Sequence, residues 1–131
     1  MTPPARFPPD DPREWLNHAK SNLALAKSGI AEAYLEDLCF EAQQAAEKAI
    51  KAVMIKRNIE FPYVHDLGRL LSLLEAEGEN MPRVVRKAEE LTRYALVTRY
   101  PGIARPVSEQ EHTEAVAIAE AVVQWAQERI R

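Results

Sequence analysis

With 131 residues, 47% of them apolar, and a formal net charge of −3, the chain can bury one continuous core unaided and is too acidic overall to coat nucleic acid indiscriminately. Its single cysteine rules out an intramolecular disulfide, and no apolar run is long enough for a membrane span or a secretory signal, so a reducing cytoplasm is the expected compartment. Only four glycines, with a middle rich in Ala, Leu, Glu and Lys, predict an all-α domain: an antiparallel up-and-down bundle of four to five helices.

Residues 1–10 hold four of the nine prolines and read as an extended or disordered tail, leaving 11–131 as the helical domain. Asp11 as N-cap, Pro12 at the first helical position and Glu14 three residues past the cap start a helix through Trp15, Ala19, Leu23 and Ala26, with Gly29 ending it. The second helix is expected from about residue 33 to 57, where Leu35, Leu38, Cys39, Ala42, Ala46, Ala49, Ile50 and Val53 recur at three- and four-residue spacing. Its alanines permit close approach of neighbouring helices, and Asn58 followed by Pro62 turns the chain back. Asp66 caps a short third helix carrying Leu67, Leu70, Leu71 and Leu74, slightly weakened by Gly68 and ended by Gly78. Asn80 and Pro82 open a fourth, with Val84, Ala88, Leu91 and Ala95 expected inward, which must stop by Arg99 or Tyr100 because Pro101 follows. Ser108 with Glu111 is a capping box that starts the last helix, along Ala115, Ile118, Ala119, Val122 and Trp125.

The net charge hides a local bias. Residues 83–105 hold six basic side chains against Glu89 and Glu90, so an anionic ligand finds its most favourable field there. Catalytic motifs of the common kinds are missing: there is no Cys-x-x-Cys, no His-Glu-x-x-His, no phosphate loop and no Gly-x-Ser-x-Gly. A dimetal carboxylate bundle needs two Glu-x-x-His pairs, and only Glu109 with His112 exists, in a first helical turn that favours acidic residues anyway. No metal or other cofactor is therefore expected. Gln43, Gln44 and Glu47 are polar beside core alanines and suit an interhelical or dimer-interface network.

Four stretches, in this order and spacing, resemble the HEPN family of small helical domains. They are Glu41-Ala42-Gln43-Gln44-Ala45-Ala46-Glu47-Lys48-Ala49 with Lys51, Ile59-Glu60-Phe61-Pro62, His65-Asp66-Leu67, and Thr98-Arg99-Tyr100-Pro101-Gly102. The resemblance runs from about residue 15 to 130. It implies a helical bundle that dimerises and is often encoded beside a minimal nucleotidyltransferase, in a toxin–antitoxin or nucleotide-handling pair. Many members of the family are metal-independent RNases that use an Arg, four to six intervening residues and a His, often with a Tyr two residues further on. In that pattern Arg neutralises the scissile phosphate and His moves the proton.

The matching window here keeps Arg93 and Tyr100 but holds Thr98 where the family has His. A hydroxyl does not titrate near neutral pH, so the chain is expected to bind rather than cleave. The resemblance thus implies a homodimer with a groove for a nucleotide, RNA or other phosphate-bearing ligand at Arg93, Thr98, Arg99 and Tyr100, lined more weakly by Lys48 and Lys51. Two alternatives stand beside it: an RNase with a non-standard proton donor, and a purely structural dimerisation module. In the bland reading, Arg93 and Arg99 are solvated charges and Tyr94 and Tyr100 plug the bundle end.

Overall fold

A computed structural model describes residues 2–97 and 106–131, and these form α-helices and one 3-10 stretch with no strand among them. The helices are α1 (Pro12–Ala26), α2 (Leu35–Lys56), α3 (Leu67–Ala76), α4 (Arg83–Arg86), α5 (Arg93–Val97) and α6 (Glu109–Ile130), with the 3-10 stretch Lys87–Leu91 between α4 and α5. Local chemistry sets most of these bounds. The Asp11 carboxylate accepts from the Arg13 amide at 2.9 Å, Asp66 accepts from the Arg69 amide at 3.3 Å, and Ser108 and Glu111 complete the capping box of α6. Asn58 adopts φ +58° just beyond α2, a left-handed turn that asparagine tolerates better than most residues.

The core lies between α1, α2 and α6. Ala42, Ala45, Ala46, Ala49 and Ala52 are fully buried, so α2 approaches its neighbours closely, and Ile50, Val53, Met54, Leu70, Leu71, Leu74 and Val122 fill the remaining space. Polar contacts then fix the ends. His112 Nε2 donates to the Ala26 carbonyl at 2.8 Å and joins the start of α6 to the end of α1, while Glu79 receives both Arg57 and Arg129 at the opposite end. His112 is thus spent on an orphan helix-end carbonyl. α3 starts beside Glu47 and ends beside Arg57, whose guanidinium donates to the Glu77 carbonyl at 2.8 Å.

One sequence expectation fails in an instructive way. The fourth helix is not continuous, and Val84, expected inward, is 46% exposed. The buried set is Val85, Ala88, Leu91 and Tyr94, spaced by three, with Ala95 beside it. A 3-10 helix has three residues per turn and stacks i on i+3, so its inward stripe has period three, where an α-helical reading assumes 3.6. Gly68 allows the tight course: a Cβ there would lie 2.9 Å from Glu89 Oε2 and 3.3 Å from Glu89 Cβ. Gly68 is therefore a close-packing position as well as a helix weakness. Thr92 completes the junction, its hydroxyl accepting from the Leu67 amide at 3.1 Å.

Residues 2–10 form no helix or strand but lie along α1. Glu14 accepts from the Phe7 amide at 3.0 Å and from Arg6 at 3.2 Å, the Trp15 indole donates to the Pro9 carbonyl at 2.7 Å, and Asn17 donates to the Ala5 carbonyl at 2.9 Å.

Candidate functional site

Arg93 opens α5 with its side chain 55% exposed, at the point where the chain leads into residues 98–105. Its guanidinium lies 4.7 Å from the centre of the Tyr94 ring, donates to the Tyr94 hydroxyl at 2.6 Å and reaches Glu111 at 3.3 Å. Tyr94 itself is buried, and desolvation pushes its hydroxyl above its ordinary pKa. Beneath it the Cys39 thiol is pushed up to about 11 by burial, which makes it an inert core group at neutral pH. Thr98, Arg99 and Tyr100 lie outside the described residues.

The basic bias of 83–105 is partly matched inside the fold. Arg86 bridges Glu75 at 3.2 Å and Glu89 at 4.0 Å and donates to Ser72 Oγ at 3.1 Å, so it holds α4 and the 3-10 stretch against α3. Arg83 and Lys87 are exposed.

Lys51 proves to be a core residue. Its side chain is 8% exposed, its ammonium donates to Glu47 at 2.9 Å, and it lies 5.1 Å from the centre of the Phe61 ring. Gln43 and His65 Nδ1 also meet Glu47, each at 2.9 Å, and Gln44 donates to Gln43 at 2.7 Å. Burial alone would raise the Glu47 carboxyl; the hydrogen bonds from His65, Lys51 and Gln43 outweigh it and hold the group below its ordinary value. An ionised carboxylate only accepts, so His65 Nδ1 carries the hydrogen of this bond. Gln43, Gln44 and Glu47, expected in an interhelical or dimer-interface network, instead bond to one another along α2, and Lys51 of the same helix and His65 of the following loop join them. The network's sequence signals are polar residues set beside core alanines and the four-residue spacing of Glu47 and Lys51, which an exposed ion pair would share.

Lys48 stands apart from Arg93. Nine residues separate it from Cys39, the α2 residue beneath Tyr94, and at 3.6 residues per turn nine positions amount to about 180°. Its ammonium donates to Asn22 Oδ1 at 2.9 Å, and Asn22 in turn donates to Glu41 at 2.7 Å. The structure therefore puts Arg93, Lys51 and Lys48 in three settings: a bundle end, the core, and the seam of α1 with α2. Among the described residues no cluster of three or more His, Cys, Asp or Glu side chains could hold a metal ion, and no helix is long and apolar enough to cross a membrane.

This arrangement of helices belongs to a known class. The HEPN domain profile matches residues 12–130, and the chain belongs to the HEPN family. Two crystal structures share the fold over nearly their whole length. An archaeal HEPN homologue, ST0689, is 26% identical with a TM-score of 0.75, and the match covers 92% of this chain and 98% of that one. TT1696 from Thermus thermophilus is 30% identical with a TM-score of 0.77, covering 90% of this chain and 97% of its own. No curated protein gives a significant match.

Proposed function

We propose that this HEPN chain is a cytoplasmic, homodimeric binding module for a nucleotide or another phosphate-bearing ligand. In this reading it works beside a minimal nucleotidyltransferase in a two-component, toxin–antitoxin-like system and is not an RNase of the usual kind. The observation that supports it most is Arg93. A guanidinium supported by Tyr94, yet more than half exposed, sits where the family resemblance puts the phosphate-neutralising Arg, and the His position of the same window is Thr98. Arg forks suit phosphate oxygens. The Glu111 carboxylate at 3.3 Å is then a resident counter-ion that an incoming phosphate displaces.

The direct test is titration with nucleotides of the wild type and of Arg93→Ala plus Arg99→Ala at two salt concentrations. Affinity should fall about tenfold or more in the double variant, and wild-type binding should weaken as salt rises, because the attraction is partly exposed and screened. Equal affinity in both proteins places the ligand elsewhere. The dimer is tested separately by light scattering after size exclusion at tens of micromolar. A mass near twice 14.8 kDa is expected; a monomer removes the shared groove.

A further inference from the structure

We infer that one side of α1, carrying Glu14, Trp15, Asn17 and His18, is a docking surface for an extended Arg-x-Pro-Pro segment of a partner protein. The chain's own Arg6-Phe7-Pro8-Pro9 occupies it as a built-in competitor. This surface goes beyond the proposed function, since it recognises peptide rather than phosphate and uses none of residues 83–105.

Proline chemistry shapes the occupant. From a turn closed by the Asp11 amide on the Pro8 carbonyl at 2.9 Å, the segment runs back alongside α1: the Pro9 carbonyl accepts from the Trp15 indole at 2.7 Å and the Ala5 carbonyl from Asn17 at 2.9 Å. Prolines at 3, 4, 8 and 9 have no N–H to pair within the segment and fix φ, so it stays extended, leaves its carbonyls to outside donors and loses little freedom on docking. The receiving side is built in advance. The Trp15 ring meets the Phe61 ring edge-on at 72°, with centroids 5.7 Å apart, which makes a fixed aromatic wall of the kind that proline-rich segments dock against.

Charge specifies the arginine. The Glu14 side chain, 12% exposed, accepts from the Phe7 amide at 3.0 Å, from Arg6 at 3.2 Å and from His18 at 2.9 Å, and these bonds hold its carboxyl below the ordinary pKa. An ionised carboxylate in a largely covered position selects a guanidinium over a neutral side chain, and its bond to the next residue's amide fixes the direction of the segment. The Arg13 guanidinium, 4.0 Å from the centre of the Phe7 ring, covers the residue between the arginine and the prolines.

The resident segment does not fill this seat. Its four prolines are exposed and only Phe7 is half-buried, while Arg6 keeps 76% of its side chain in solvent. A furrow of about 300 Å³ stays open beside Pro9 and Trp15, bounded by Glu14, His18 and Lys48. Exposed hydrogen bonds and ion pairs each hold weakly, so a partner segment that also places an apolar side chain in the furrow displaces the resident one.

The experiment is fluorescence anisotropy of a labelled peptide of residues 2–10 against the full chain: wild type, Arg6→Ala plus Phe7→Ala, and that double variant with Glu14→Gln or Trp15→Phe added. In the wild type the resident segment competes at an effective concentration of about millimolar, so the double variant should bind the peptide about tenfold more tightly. Adding Glu14→Gln or Trp15→Phe should remove that gain, and a peptide carrying Arg6→Ala should bind the double variant about tenfold more weakly. Equal affinity in wild type and double variant, a gain that survives both added substitutions, or no binding at millimolar peptide overturns the surface. Light scattering of the same proteins tests the other occupant, a second copy: the double variant should keep the wild-type mass. A dimer that falls to a monomer on losing Arg6 and Phe7 assigns the surface to the segment of a second copy and overturns the partner reading. A wild-type monomer fails the proposed function and leaves this surface standing.

Discussion

Glu47→Ala should destabilise the fold by about 3–5 kcal/mol, the cost of leaving a buried charge without its partner. Glu47 is 6% exposed on its side chain and accepts from Gln43, Lys51 and His65, so truncation strands the Lys51 ammonium beside the Phe61 ring and removes the acceptor of two further donors. That loss is a large fraction of the 5–15 kcal/mol typical of a domain. Lys51→Met should cost less, since the methionine fills the same volume and the carboxylate keeps Gln43 and His65. The double variant Glu47→Ala plus Lys51→Met should recover part of the loss, because the two residues act on each other. Urea unfolding of the three variants measures this. Strict additivity would mean that the 2.9 Å contact between Glu47 and Lys51 contributes nothing of its own.

The same group sets a pH dependence. Its carboxyl is held below its unfolded value, so its contribution is fully present above the unfolded pKa, ordinarily about 4.3, and is lost as pH falls through the lower folded pKa. Glu47→Gln should therefore flatten the acid limb of the stability profile in that window.

The contrast between Lys48 and Lys51 shows where sequence reading stops. α1, α2, α3 and α6 were legible because each announces itself twice, through an apolar stripe and through a signal at one end or both: Asp11, Asp66 and Ser108 at starts, Gly29, Asn58 and Gly78 near ends. The fourth segment has a start signal in Asn80 and Pro82, but its apolar residues fit both a 3.6-residue and a 3-residue period; in the course it takes, Glu89 packs close against Gly68 of another helix. The two lysines are three apart on one helix: Lys51 meets Glu47 four residues back, and Lys48 meets Asn22 of α1. What their spacing does not reveal is the loop 57–66, which brings Phe61 to Lys51 and His65 to Glu47. Periodicity sees helix faces; it does not see what a loop places on them. Arg93 was legible for a different reason, as a member of a window recognised by family resemblance, though its contacts with Tyr94 and Glu111 were not.

The purified protein should show no chelator-resistant RNA cleavage above background, because the window that begins at Arg93 has Thr98 where a titratable imidazole is needed. General acid–base catalysis typically contributes about 10²–10⁴-fold, and a hydroxyl keeps almost none of it at neutral pH. Nor do the described histidines repair the loss. His18 meets Glu14 on α1, His112 is bound to the Ala26 carbonyl, and His65 is held through Nδ1 by Glu47. Of these, His65 combines an exposed ring with a buried carboxylate that orients it, so any residual cleavage should depend on it. Single-stranded RNA incubated with wild type, Thr98→His, Arg93→Ala and His65→Gln, with and without chelator, separates the cases. Cleavage that appears only in Thr98→His supports a groove that kept its phosphate-binding half and lost its proton shuttle. Robust wild-type cleavage abolished by Arg93→Ala overturns the binding-module reading, and its simultaneous loss in His65→Gln would identify the imidazole that replaced the missing one.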